Sequence, residues 1–139
     1  MEKSYSISFE GYWRDQNNNG IPSKSGVYCV YVCSHNSNSG KVNISKLIYI
    51  GESENVNDRI AKHEKRIKWK SHVNRGYELC FSFAPSNSNE RDRVEAALIF
   101  KHKPPVNIEY ANNFPFDTTT ISTNGDNSLL ERRFTVYLT

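Results

Sequence analysis

The chain has 139 residues, with 18 Lys and Arg against 15 Asp and Glu and a formal charge of +3, which fits one domain and is poor room for two. Aromatic residues make up 12% and hydrophobic residues 37%, too many for disorder to be the default reading. Mean hydropathy is −0.69 and no apolar run approaches the roughly 18 residues of a membrane span. No signal-like apolar stretch follows Met1-Glu2-Lys3-Ser4, so the expectation is a cytoplasmic protein without a membrane role.

Residues 4–9 alternate polar and apolar, which predicts a short strand. Residues 14–25 are rich in turn formers and read as loop. The β-branched and aromatic run over residues 26–33 predicts a strand, residues 34–40 a polar turn, and residues 46–51 the returning strand of a long-looped hairpin. From Asn55, a candidate cap, to about Trp69 the spacing of Val56, Ile60 and Ile67 predicts a helix. Residues 77–84 read as a third strand. A second helix over about 90–102 has Val94, Ala97 and Leu98 on its apolar face and stops before Pro104-Pro105. Residues 118–123 and 133–138 read as a closing pair of strands around Asn124-Gly125.

Cys29, Cys33 and Cys80 are odd in number and lie among strand-like apolar residues, so buried free thiols are expected; their spacing does not suit zinc. Charge is uneven along the chain. Residues 59–75 hold seven cations (Arg59, Lys62, Lys65, Arg66, Lys68, Lys70 and Arg75) against the single acid Glu64. Such density suits a polyanion, although a solvated basic helix face has the same composition.

Several residues fall in a telling order. Gly26-Val27-Tyr28 opens the first long strand, and Tyr49-Ile50-Gly51 follows on its partner, with Tyr49 21 residues after Tyr28. Arg59 lies eight residues past Gly51, His63 four past Arg59, and Glu95 sits on the second helix ahead of Pro104-Pro105-Val106-Asn107. Over about residues 25–108 the chain resembles the GIY-YIG endonuclease superfamily, with Val in place of the first Ile. That resemblance implies an α+β fold: a small antiparallel or mixed three-stranded sheet flanked by helices, in one nuclease-type domain spanning residues 1–139. Residues 1–24 would add a peripheral N-terminal strand and residues 109–139 a peripheral strand pair.

The resemblance also implies a metal-dependent endonuclease that hydrolyses phosphodiester bonds, with nucleic acid, DNA above RNA, as partner. Glu95 would bind one divalent ion, Mg²⁺ or Mn²⁺, hard cations that prefer oxygen; without the resemblance Glu95 reads as an exposed helix residue paired with Arg91. Arg59 would hold the scissile phosphate. His63 would bind a phosphate or shuttle a proton, or is a surface histidine. Tyr28 is the family's candidate general base and Tyr49 its neighbour, although a phenol needs nearby positive charge to act so. Gly26 and Gly51 would permit a close backbone turn beside the site, and Asn107 would be a structural tie. Lys62, Lys65, Arg66, Lys68 and Lys70 would grip the backbone, Lys101, His102 and Lys103 would flank it, and Trp69 and Tyr77 would stack on bases or pack. The main alternative is a non-catalytic binding module on the same fold; a further one is a basic α+β protein that binds RNA or a protein.

Overall fold

The computed structural model describes residues 1–139. Its centre is strand β2 (Gly26–His35), apolar on both faces and buried from Gly26 to Cys33. A continuous apolar run of this kind belongs in the middle of a sheet covered on both sides. β3 (Val42–Ser53) and β4 (Glu78–Pro85) pair with it antiparallel, one on each flank. β1 (Lys3–Arg14) adds antiparallel to β4, β5 (Thr119–Gly125) adds parallel to β1, and β6 (Arg133–Val136) closes antiparallel on β5. The result is one six-stranded sheet in the order β3-β2-β4-β1-β5-β6.

The α+β class stands, but the sheet has six strands rather than three. The terminal segments are part of it. β1 runs well past the predicted residues 4–9, because its later residues find β4 as a distant partner that no local pattern announces. Within the segment read as loop, Asp15–Gly20 forms a 3-10 turn.

The two-residue period of β2 sorts its side chains into two cores. Val27, Cys29, Tyr31 and Cys33 face helix α3 (Arg91–His102) with Val94, Ala97 and Leu98. Tyr28, Val30 and Val32 face the opposite side with Ile48, Val56, Ile60 and Trp69. The predicted helix over 55–69 is two short ones, α1 (Val56–Ala61) and α2 (Arg66–Lys70). Between them the chain turns so that the His63 ring enters the core while Ile67, expected to be buried, is 84% exposed. Trp69 takes the inward place instead, and its larger apolar area explains the preference.

The cysteines differ from expectation as well. Cys33 and Cys80, on adjacent strands β2 and β4, form a disulfide, and only Cys29 is a buried free thiol. Disulfides are rare in reducing compartments, so the cysteine state lends the cytoplasmic expectation no support. No helix is long and apolar enough to cross a membrane.

Candidate active site

The β2–β3 pairing has two register shifts, between Val30 and Tyr31 and between Val32 and Cys33, and together they set how the two tyrosines meet. Val30 pairs with Tyr49 and Tyr31 with Leu47, leaving Ile48 as the extra residue of a bulge. Tyr49 is thereby placed opposite Val30 and on the face that carries Tyr28, and the two rings lie 6.3 Å apart between centroids. Gly51 is directly opposite Tyr28. A Cβ there would fall 2.3 Å from Tyr28 Cζ, so only glycine leaves room for the ring. Gly26 is similar: its Cβ would meet the Ala84 carbonyl oxygen at 2.2 Å. Both glycines therefore serve close approach within strands, not the turns expected of them.

Asn107 closes the outer edge of β3. Its side-chain amide donates to the Ile50 carbonyl and its carbonyl accepts from the Ile50 N–H, both at 2.9 Å, while Val106 N–H donates to Ile48. This is a strand-like pairing made by a side chain, in line with a structural tie. Beside that edge lies a cavity of about 550 Å³ whose lining includes Tyr49, Lys65, Glu95, Asn107 and Glu109.

Glu95 reaches this cavity from α3, half-buried and with no ion-pair partner for its carboxylate, whose charge only the Glu52 backbone N–H favours. Arg91, the helix neighbour that could have neutralised it, pairs instead with Glu52 and bonds Ser25. Burial, then the charges of Glu52, Asp92 and Glu109, push the Glu95 carboxyl up to about 8. An acid held in this way is short of a cation. No three acidic, histidine or cysteine side chains converge to cage an ion. The donor set is thus one carboxylate in an acidic surround, which fits a hard divalent ion that keeps most of its waters.

His63 lies on the tyrosine side, its ring 5.2 Å from Tyr49 and 6.4 Å from Tyr28. Lys65 N–H donates to His63 Nδ1, which puts the proton of the neutral ring on Nε2; that nitrogen is buried without a partner. Burial, then the charge of Arg59, lower His63 to about 4. It is a neutral donor, not the cation that phosphate binding would favour. Tyr28 is raised well above 10 by burial, and then by Tyr49, with Arg59 opposing; burial and Glu95 raise Tyr49 to about 12. Arg59 is close enough to act on both phenols, and its guanidinium is held by Glu64.

The expected backbone-gripping cations divide. Lys68 and Lys70 are exposed and Lys65 lines the cavity. Lys62 pairs with Asp58 at 2.9 Å. Arg66 is committed to structure through Asp15 and the Ile60 carbonyl. Trp69 is buried and cannot stack on a base from this position, whereas Tyr77 is 46% exposed. His102 is a staple, bonded to Leu98 O and accepting from Glu131 N–H.

A family model for the GIY-YIG catalytic domain matches residues 27–109. The chain belongs to the GIY-YIG family. No curated protein and no solved structure matches it. GIY-YIG membership carries a nuclease-type fold and a nucleic-acid substrate. Sequence reasoning missed one neighbour of this GIY-YIG site. Glu64 lies five residues after Arg59, a spacing that does not pair on a continuous helix, and the break between α1 and α2 permits it. Lys65, one of the cations expected to grip the backbone, lines the cavity from the same break.

Proposed function

We propose that the chain is a metal-dependent endonuclease that hydrolyses phosphodiester bonds of DNA. The observation that carries this reading is the half-buried Glu95 carboxylate, without an ion-pair partner on the wall of a cavity that Tyr49 also lines; its charge and that of Arg59 act on both the Tyr49 and the Tyr28 phenols. Arg59 binds the scissile phosphate and offsets its developing charge, a task matched to a planar fork of donors. Glu95 holds one Mg²⁺ or Mn²⁺, which when bound supplies Lewis-acid polarisation of the phosphate and help to the leaving oxygen. Tyr28 orients the attacking water and is its candidate base. Burial and Tyr49 raise Tyr28 most and the charge of Glu95 adds to them, so compensating that carboxylate lowers the phenol and favours its phenolate form. His63 stays neutral and packs against the Tyr28 and Tyr49 rings, holding the two phenols in place. Lys65, Lys68 and Lys70 hold the flanking backbone without reading sequence, which makes affinity fall steeply with salt.

The test is cleavage of labelled single-stranded and duplex DNA in Mg²⁺, Mn²⁺ or EDTA. Metal-dependent cutting is expected. Binding in all three conditions with no cutting in any would favour a non-catalytic binding module.

A further inference from the structure

The Arg59 guanidinium does not stand free. Its Nη1 and Nη2 donate to the two carboxylate oxygens of Glu64 at 2.7 and 2.9 Å. That bidentate geometry is the one a phosphodiester would adopt with its two non-bridging oxygens, so the two anions compete for one pair of donors. Glu64 is 66% exposed, and its hydrogen bonds to Arg59 hold the carboxyl down to about 2, so it is charged throughout ordinary pH. Beyond its own backbone N–H it has little holding it elsewhere: the neutral His63 ring lies with Nδ1 at 3.9 Å, a nitrogen already accepting from Lys65.

We propose that Glu64 is an exchangeable partner of Arg59, occupying the guanidinium fork in the free protein and surrendering it to a phosphate of the incoming nucleic acid. This inference rests on the reading of Arg59 as the phosphate-binding group. Exposed ion pairs are weak, so the exchange costs little, while the fork stays aimed and paired until substrate arrives. Glu64 thus acts on substrate affinity through Arg59 and touches neither the water nor the leaving group.

The experiment measures binding of fluorescein-labelled oligonucleotides in EDTA, which prevents cutting, by fluorescence anisotropy. It uses the full chain as wild type, Glu64→Gln, Arg59→Ala, the double variant and Asp58→Asn. Asp58 is the control for simple loss of negative charge, being an exposed acid on the adjoining helix paired with Lys62. Glu64→Gln is expected to tighten binding about threefold to fivefold, the scale of releasing one exposed ion pair. Asp58→Asn should tighten it less, and in the Arg59→Ala background the Glu64→Gln effect should shrink to that of the control. Equal gains from Glu64→Gln and Asp58→Asn, or a gain undiminished without Arg59, would overturn the exchange and leave Glu64 as general surface charge. Weaker binding by Glu64→Gln would also overturn it. Should Arg59→Ala itself bind as tightly as wild type, the phosphate role of Arg59 fails, and the exchange with it.

Discussion

Two histidines, His63 buried and His102 half-buried, mark two kinds of region in this molecule. His102, where α3 meets the loop before β6, has both ring nitrogens paired, one with Leu98 O and one with Glu131 N–H. His63, beside Tyr28 and Tyr49, has one nitrogen paired and the other buried without a partner. Burial lowers both from the ordinary histidine value. The same contrast extends to their surroundings. Near His102 and β5, polar groups are tied: Arg93 bonds Thr119 and three backbone carbonyls, and Tyr12 bonds Ser128. Near His63, the Glu95 carboxylate has no ion-pair partner and the Tyr28 hydroxyl no hydrogen-bond partner in the protein. Satisfied polar groups fix a fold; unsatisfied ones beside a cavity are available to a ligand.

The comparison breaks most visibly at Arg59. Arg59→Ala should lower kcat/KM on the order of a hundredfold to a thousandfold, as expected for removing a donor to developing charge. Single-turnover cleavage reads this, and a loss below about tenfold would reduce Arg59 to substrate positioning. Tyr28→Phe should cost at least about tenfold in rate while leaving the urea midpoint unchanged, because the lost hydroxyl bonds no protein group. Equal rates would remove Tyr28 from the water.

On the structural side the signs reverse. His102→Phe leaves Leu98 O and Glu131 N–H without the ring, and should lower stability by about 1–3 kcal/mol in urea denaturation with cleavage per folded molecule intact. The remaining effect is in pH. His63 is held at about 4 when folded, against an ordinary value near 6.5. The unfolded chain therefore takes the proton first as pH falls. The His63 contribution is complete above about pH 6.5 and is lost progressively toward pH 4. His102 is lowered too and adds to the same acid-side loss. Replacing His63 by Phe should flatten that decline in part, measured by urea titrations from pH 7 to 4.5.

What the sequence disclosed follows from how local each cause is. The apolar runs of β2 and β4, the face of α3 and the pairing of β5 with β6 are written in short windows, as are the positions of Tyr28, Tyr49, Arg59 and Glu95. The split between α1 and α2 was hidden because Val56, Ile60 and Ile67 fit one continuous helix, whereas the choice of Trp69 over Ile67 for burial is made by the tertiary environment. The Cys33–Cys80 bond, the full length of β1 and the bulge at Ile48 depend on partners distant in sequence. Glu64 remained unread for the same reason, since its pairing with Arg59 exists only once the helix has broken.

The most direct measurement of the central claim is Glu95→Gln assayed side by side with wild type, for DNA cleavage in Mg²⁺ and for oligonucleotide binding in EDTA. The substitution keeps the shape of the side chain and removes its charge. The account predicts that cutting disappears while binding and the urea midpoint are retained or slightly improved, since a half-buried acid among Glu52, Asp92 and Glu109 has been neutralised. Cleavage at the wild-type rate with the same metal dependence would contradict it and take Glu95 out of the active site.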